Sequence, residues 1–328
     1  MDLIILGSSA AIPTLERNLS SIAVKFRSET ILFDAGEDLQ RRLIQANLKF
    51  NKPLRIFISH FHGDHIIGLP GLLFRFSLIN REAPLTITGK KNLFLYLYLH
   101  RKILGLHAEY PLTIQEIDHE RKKLLIYEGL ESQTPVEEKT IKDNIIFERK
   151  RYKVKYAKVA HSVESYAYAF EENLRYGKFH PKRAMELGIP EGPLWGVMQS
   201  GKPITYKGKK IKPLEEGIVE PKRLGRKITY SGDTKPCKAL IELGKGSDIL
   251  IHEASFQKDL QEVATEKKHS TSVDAAEDAK KMNAEKLILT HISSRYQGDT
   301  EQLLKEAQTI FPNTIMAKDL LRLKITKD

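Results

Sequence analysis

The chain of 328 residues holds 53 Lys and Arg against 42 Asp and Glu, a formal net charge of +11, and 41% of it is hydrophobic. Such a chain buries a large core in one sizeable domain with an excursion, or in two domains. No apolar run approaches the roughly 20 residues that cross a bilayer, and the N-terminus lacks the basic start of a signal peptide, so we expect a cytoplasmic location and no membrane partner. The lone Cys237 excludes an intrachain disulfide framework and a cysteine zinc site.

Strand and helix patterns alternate in two halves of the chain. The first half predicts strands at 3–6, 22–26, 30–33 and 55–58 and a helix at 37–46; the second predicts strands at 228–230, 249–251 and 287–290 and helices at 238–243 and 272–282. Between the halves, residues 106–156 are charged and strand-like in places, without chemistry that we can assign. The alternation fits an αββα sandwich, but the pattern alone does not distinguish that fold from a doubly wound sheet.

A cluster of titratable residues follows the strand at 55–58. The chain there reads Ser59-His60-Phe61-His62-Gly63-Asp64-His65. Imidazole nitrogens and carboxylate oxygens suit zinc or a similar divalent ion. Any one of these histidines alone would be a polar loop residue, but burying the whole array without a metal would be costly. The array therefore predicts a site for two metal ions.

Further ligands for two metals are expected where later strands end. Four candidates follow segments predicted as strands at 155–160, 228–231, 248–251 and 287–289, respectively: His161, Asp233, His252 and His291. Gly232 allows a close turn before Asp233.

The remaining histidines give weaker signals. His269 lies in a polar loop that enters a helix, and taken alone it is a loop residue beside a helix cap. The others lie in helical or charged surroundings without a paired carboxylate and are predicted to be surface residues: His100, His107, His119 and His180.

The positive charge is concentrated in one segment. Residues 175–227 hold thirteen Lys or Arg against five Glu, together with eight of the 20 Gly, six of the 14 Pro and the only Trp, Trp195. This composition argues against a regular sheet or a long helix and indicates an extended basic arm. A solvated insertion and a nucleic-acid-binding surface are both consistent with it.

The His-x-His-x-Asp-His array resembles the signature of the metallo-β-lactamase superfamily, and the chain as a whole resembles its tRNase Z family. The motifs that carry the likeness are Phe33-Asp34-Ala35-Gly36-Glu37, the array itself, His161-Ser162, Gly232-Asp233-Thr234, His252-Glu253-Ala254, His269-Ser270-Thr271 and Thr290-His291-Ile292-Ser293. The resemblance implies an αββα sandwich with a metal site at one edge, and a precursor-tRNA endonuclease that removes the 3′ trailer. It also implies a single domain over 1–328, with a tRNA-binding arm inserted at about 172–220.

The resemblance assigns a role to each candidate residue. One zinc ion would be held by His60, His62 and His161, the second by Asp64, His65 and His291, and Asp233 would bridge them. Asp34 and His252 would support these ligands from behind. Asp64 would also orient the attacking water, and His269, oriented by Glu253, would protonate the leaving ribose oxygen.

The basic segment would be the arm that grips the tRNA body. Its Gly188-Ile189-Pro190-Glu191-Gly192-Pro193-Leu194 stretch is similar to the Gly/Pro-rich part of the family's arm. The residues implied in binding are Lys178, Lys182, Arg183, Gly192, Pro193, Lys202, Lys207, Lys209 and Lys210. The family usually forms homodimers in which one subunit's arm serves the partner's site, so a homodimer is expected.

One loop departs from the family pattern. Where the family often has Pro-x-Lys-x-Arg-Asn, this chain reads Pro13-Thr14-Leu15-Glu16-Arg17-Asn18, with Leu15 in place of the lysine. The family senses the nucleotides beside the cut with this loop, so the treatment of CCA-bearing precursors stays open.

Two other functions share the metal array. One is a small-substrate hydrolase or phosphodiesterase of the same fold, and the other is a non-catalytic RNA-binding protein stabilised by zinc. The basic arm argues against the first, and the His269/Glu253 pair argues against the second.

Overall fold

The computed structural model describes residues 1–326. It divides into two compact units. The main unit comprises residues 1–148, 154–170 and the described chain from Lys227 onward, and the inserted unit comprises Arg149–Lys153 and Glu171–Arg226.

The described chain forms twenty-two strands and ten α-helices. The strands are Asp2–Gly7 (β1), Ser9–Ala10 (β2), Ser21–Phe26 (β3), Glu29–Phe33 (β4), Leu54–Phe57 (β5), Leu85–Lys90 (β6), Leu112–Asp118 (β7), Lys123–Glu128 (β8), Glu137–Thr140 (β9), Ile145–Arg149 (β10), Tyr152–Val159 (β11), Ser165–Glu172 (β12), Arg175–Tyr176 (β13), Ile204–Tyr206 (β14), Lys209–Ile211 (β15), Lys222–Arg223 (β16), Lys227–Tyr230 (β17), Ile249–Glu253 (β18), Lys286–Thr290 (β19), Ile292–Ser293 (β20), Thr314–Met316 (β21) and Arg322–Lys324 (β22). The helices are Leu39–Gln45 (α1), Gly63–Ile66 (α2), Gly68–Leu78 (α3), Leu93–Leu104 (α4), Pro181–Glu186 (α5), Pro193–Gln199 (α6), Lys238–Gly244 (α7), Gln261–Lys267 (α8), Ser272–Lys281 (α9) and Glu301–Ile310 (α10).

Two sheets dominate the fold. One has nine strands in the order β22-β1-β3-β4-β5-β6-β7-β8-β9, and the other has seven in the order β10-β11-β12-β17-β18-β19-β21. The segment at 106–156, which had no assigned role, supplies an edge of each sheet. Strands β4 to β7 run parallel, as do β17, β18, β19 and β21, so the carboxyl ends of neighbouring strands meet at one edge of each sheet.

The two sheets pack face to face in the main unit. Phe33 on β4 stacks on Tyr230 of β17 and on Tyr168 of β12, with ring centroids 5.8 and 6.0 Å apart. The outer faces carry the helices, because apolar residues of α1, α3 and α4 form a core with the nine-stranded sheet. Those of α7, α9 and α10 form a second core with the other sheet. The predicted αββα sandwich is confirmed, and each strand and helix predicted from the sequence is present within about three residues of its predicted bounds.

Strand-end turns in unusual backbone conformations set the direction of the site residues. Asp34 after β4 and His291 after β19 have φ values of 61° and 54°, although neither is glycine. Gly232 after β17 has φ of 59°, and a Cβ there would lie 2.9 Å from the Tyr166 carbonyl oxygen. Strained backbone of this kind is typical of functional sites, where surrounding contacts hold it in place.

The inserted unit has a small core of its own. Its buried residues are Ala184, Ile189, Met198, Ile204, Ile211 and Ile218. Two short helices and paired short strands surround them, and the Trp195 ring lies 5.3 Å from that of Phe179. The segment is therefore compact, where the sequence suggested an extended arm. The prediction that His180 lacks a paired carboxylate was wrong, because its Nε2 lies 3.2 Å from Glu220 Oε1.

Candidate metal centre

The first donor group forms where β5, β11 and β17 end. His60 and His62 follow β5, His161 follows β11 and Asp233 follows β17. One side-chain donor atom from each lies within 4.8 Å of all the others. His60 Nε2 lies 3.0 Å from His62 Nδ1, and His161 Nε2 lies 3.2 Å from the same Nδ1.

The second donor group is formed by the short helix α2 and the turn after β19. Asp64, His65 and His291 bring their donor atoms within 4.8 Å of one another. Asp64 Oδ2 lies 3.3 Å from His65 Nε2 and 3.2 Å from His291 Nε2. Asp233 Oδ2 lies 3.3 Å from each of these imidazole nitrogens and 3.6 Å from His60 Nε2, so it touches both groups.

Burial and charge give His60 and Asp233 the properties of metal ligands. Burial, followed by neighbouring imidazoles, holds the pKa of His60 well below its usual value, which leaves the ring neutral with one nitrogen lone pair free to bind a cation. Burial opposes ionisation of Asp233, but the charges of His291 and His65 outweigh it and hold that pKa well below the usual range.

The donor set fits a divalent cation. Asp233 Oδ1 is buried without a hydrogen-bond partner among the described residues, although a buried carboxylate oxygen normally has one. Converging imidazole nitrogens and carboxylate oxygens are the donors that zinc prefers. The chain therefore contains side-chain clusters suited to metal binding, next to an oxygen that a cation would satisfy.

Asp34 supports the second group from behind. Its Oδ2 accepts from Ser59 Oγ at 2.8 Å, from Tyr230 Oη at 2.7 Å and from His65 Nδ1 at 2.7 Å, while its Oδ1 accepts from the Ser59 backbone N–H at 2.6 Å. A proton on Nδ1 of His65 leaves Nε2 as the atom directed at Asp64 and Asp233. This arrangement is the usual way in which a ligand imidazole is oriented.

A hydrogen-bonded His–Glu pair lies beside the donor groups. His269 Nδ1 lies 2.8 Å from Glu253 Oε1, and His269 also forms a third donor group with Asp233 and His291. Burial alone would lower the pKa of His269, but the charge of Glu253 and this hydrogen bond raise it to about 9. The His269 side chain is 18% exposed, so a cationic imidazole is accessible at the edge of the cluster.

His252 is not brought to the donor groups. Its Nδ1 donates to the Glu253 carbonyl oxygen at 2.7 Å, and its Nε2 lies 3.7 Å from Asp278 Oδ2 on α9. Both side chains are fully buried. The contacts of His252 therefore connect β18 with α9, and α9 follows the loop that contains His269.

Hydroxyl groups in the site were missed by the sequence analysis. Ser59, Tyr230 and Ser255 each hydrogen-bond to a buried carboxylate of the site. Their only sequence signal is position: Ser59 and Ser255 adjoin the recognised motifs, and Tyr230 ends the strand that leads to Asp233.

Comparisons with known proteins agree with this fold and site. Residues 1–178 match the family model described as anti-Pycsar protein Apyc1, and residues 218–292 match that of the beta-lactamase superfamily domain. The structure of human tRNase Z, short form, superposes with a TM-score of 0.66 at 24% identity and full coverage of both chains, a likeness of fold. The protein is thus of the metallo-β-lactamase class, with a donor set for metal ions.

Two curated relatives identify the family. Ribonuclease Z of Archaeoglobus fulgidus is 39% identical over 98% of this chain and 97% of its own length. Ribonuclease Z of Methanosarcina acetivorans is 36% identical over 98% and 96%. The chain belongs to the ribonuclease Z family.

Proposed function

We infer that this chain is an endoribonuclease that removes the 3′ trailer from precursor tRNA, leaving a tRNA 3′-hydroxyl and a 5′-phosphorylated trailer. One observation carries the inference: a chain with 36% and 39% identity to ribonuclease Z over nearly its whole length has a metal-donor cluster beside the His269–Glu253 pair.

Two zinc ions per subunit are the proposed cofactors. The proposed ligands are His60, His62 and His161 for one ion, Asp64, His65 and His291 for the other, and Asp233 for both. Divalent cations in such a pair supply Lewis acidity and positive charge for phosphodiester hydrolysis. Asp34 is proposed to orient His65 for this role.

Asp64 is proposed to orient the attacking water and to accept its proton. The Ala11 backbone N–H donates to its Oδ2 at 2.8 Å, and the side chain is 10% exposed, so the carboxylate is fixed yet reachable. Burial opposes its ionisation, but hydrogen bonds from His291 and His65 outweigh this and lower its pKa. The carboxylate is therefore ionised and can accept a hydrogen bond from the attacking water, which orients it.

His269 is proposed to protonate the leaving ribose oxygen. Its Nδ1 is engaged by Glu253, which leaves the Nε2 proton for transfer. As the bond between phosphorus and the 3′-oxygen breaks, this proton passes to the oxygen and the imidazole becomes neutral. The raised pKa of about 9 keeps His269 cationic at neutral pH until that step.

The inserted unit is proposed to be the tRNA-binding arm. Eight of the nine implied residues are exposed, and only Gly192 is partly covered. A two-residue turn between β14 and β15, Lys207 and Gly208, has positive φ at both positions, the geometry of a tight hairpin. It presents Lys207, Lys209 and Lys210, and none of the three forms an ion pair within residues 1–326. Unpaired lysines at a hairpin tip are suited to phosphate contacts.

A direct assay tests the function. The protein is incubated with a 3′-extended precursor tRNA, with and without chelator, and the ends of both products are mapped. We expect one cut at the trailer junction with a 3′-hydroxyl on the tRNA, and loss of cleavage with chelator that added zinc restores. Cleavage at scattered sites, or cleavage that resists chelator, would contradict the proposal.

The same assay separates the alternatives. A small-substrate hydrolase of the same fold is the second candidate, because the same metal-donor cluster would serve it. Such an enzyme would hydrolyse a small phosphodiester but leave precursor tRNA intact. A non-catalytic RNA-binding protein would bind precursor tRNA and cleave neither substrate.

The oligomeric state and the location stay predictions. Leu95, Leu99 and Ile103 are exposed at four-residue spacing along α4, which makes an apolar stripe consistent with the predicted homodimer. Within residues 1–326 no helix combines the length and apolarity needed to span a membrane. The predicted cytoplasmic location awaits its own measurement.

A further inference from the structure

Ser255 lies at the centre of a buried set of contacts between the donor groups and the His269–Glu253 pair. Its Oγ is 2.7 Å from Glu253 Oε2, 2.9 Å from His291 Nδ1 and 3.1 Å from the His291 carbonyl oxygen. Ser255, Glu253 and His291 are each 3% exposed or less. The hydroxyl therefore contacts a proposed metal ligand and the orienting carboxylate at the same time.

Hydrogen-bond chemistry fixes the direction of this chain. With Nε2 of His291 bound to the proposed metal ion, which it faces beside Asp64 and Asp233, Nδ1 would be the nitrogen that carries a proton and would donate it to Ser255 Oγ. The single hydroxyl proton of Ser255 then goes to Glu253 Oε2, because an ionised carboxylate at 2.7 Å is a stronger acceptor than a carbonyl at 3.1 Å.

The other oxygen of Glu253 completes the chain. Glu253 Oε1 accepts from His269 Nδ1 at 2.8 Å and from the Thr234 backbone N–H at 2.7 Å. With Oε2 held by Ser255, the carboxylate cannot rotate away from His269. A continuous path of hydrogen bonds thus runs from His291 through Ser255 and Glu253 to His269.

We propose that Ser255 is a positioning residue for leaving-group protonation, linking the metal-ligand imidazole of His291 to the Glu253 carboxylate that orients His269. This inference rests on the proposed function. Ser255 gains and loses no proton in the reaction: the proton leaves His269 Nε2 for the ribose oxygen as the phosphorus–oxygen bond breaks. The hydroxyl fixes the distance and direction from which that proton is given, and such preorganisation affects the transition state more than substrate binding.

Two substrates with different leaving groups test this role. The leaving group of precursor tRNA is a ribose alkoxide, which needs a proton. The leaving group of bis(p-nitrophenyl) phosphate is a nitrophenolate, which does not. We expect Ser255→Ala to lower kcat for precursor tRNA by about 10-fold or more, with KM unchanged. Hydrolysis of the nitrophenyl ester should stay within about 2-fold of wild type, because it bypasses the acid.

Two further variants sharpen the test. Ser255→Thr keeps the hydroxyl and should restore cleavage of precursor tRNA to within about 3-fold of wild type, as expected of a conservative replacement of a hydrogen-bonding group. Ser255→Ala should also add almost nothing in a His269→Ala background, because residues that act as one unit are non-additive.

Measurements other than turnover separate positioning from support of the metal or the fold. With zinc in excess, bound zinc counted by mass spectrometry should be equal in wild type and Ser255→Ala, so that any loss of zinc affinity from removing a partner of His291 does not affect the comparison. In crystal structures of the two zinc-loaded proteins, the distance from His269 Nδ1 to Glu253 Oε1 should be longer in Ser255→Ala than in wild type, or the two groups should take several positions in the variant.

Three results would overturn the proposal. Equal losses on both substrates would mean that Ser255 acts through the metals or the fold, an unchanged kcat on precursor tRNA would mean no role, and full additivity with His269→Ala would mean an independent one. Failure of the proposed function looks different: wild type itself would hydrolyse the nitrophenyl ester but leave precursor tRNA uncut.

Discussion

At the scale of single residues, the His269–Glu253 pair has the most direct consequence for rate. We predict that His269→Ala lowers kcat for precursor tRNA by about 100-fold or more, since a positioned general acid contributes that much. Bound zinc should be unchanged, because a donor set without His269 remains. Single-turnover cleavage and metal analysis measure both quantities, and an unchanged rate would remove His269 from the mechanism.

Two buried tyrosine hydroxyls allow a matched test of the support that Asp34 gives to the proposed zinc ligand His65. Tyr230 Oη donates to the Asp34 carboxylate, whereas Tyr168 Oη donates to the Ile58 carbonyl oxygen, and both rings stack on Phe33. We predict that Tyr230→Phe weakens zinc binding by about 10-fold, because the carboxylate behind His65 loses one of its donors. Competition with a chromophoric chelator measures the affinity.

Tyr168→Phe is the control for that prediction. It removes a hydroxyl of equal burial that does not touch Asp34. Its free energy of unfolding should fall by about 1–3 kcal/mol, as for removal of any buried hydrogen bond, while zinc affinity stays at the wild-type value. Equal loss of affinity in both variants would show that the effect is general destabilisation.

At the scale of elements, the β14–β15 hairpin concentrates unpaired charge. We predict that replacing Lys207, Lys209 and Lys210 by Ala raises KM for precursor tRNA by about 10-fold. The slope of the logarithm of the binding constant against the logarithm of the salt concentration should also become shallower, by about one for each phosphate that the variant no longer neutralises. Hydrolysis of bis(p-nitrophenyl) phosphate should not change, since a small ester needs no distant contact.

The matched control for the hairpin replaces three lysines that are paired with Glu in the main unit. These are Lys245, Lys281 and Lys305. The net charge of the chain falls by the same amount, but the hairpin keeps all of its lysines. If both triple variants bound precursor tRNA equally weakly, total charge rather than the hairpin would govern affinity.

The sequence predicted the strands and helices that have a regular apolar pattern, and it predicted the metal donors that directly follow a strand. Apolar periodicity located β18 and β19. A His or an Asp directly after a strand is a candidate for a functional site, so Asp233 and His291 were predicted as metal ligands. Hydroxyl groups such as that of Ser255 could not be recognised in this way, because Ser is common on protein surfaces and its partners come from distant segments. His180 and Glu220, forty positions apart, met only through the folding of the inserted unit.

At the scale of the whole molecule, the stripe on α4 bears on assembly. Leu95, Leu99 and Ile103 are 45%, 46% and 75% exposed, and a second copy of this chain is the occupant that the predicted homodimer would place there. We predict that Leu99→Asp with Ile103→Asp gives a monomer by light scattering, because an unpaired carboxylate is costly to bury in an apolar contact. Val136→Asp, at a residue 59% exposed outside the stripe, should leave the mass of the wild type unchanged. If the wild type is a dimer, a double variant of the same mass would exclude this face as the interface.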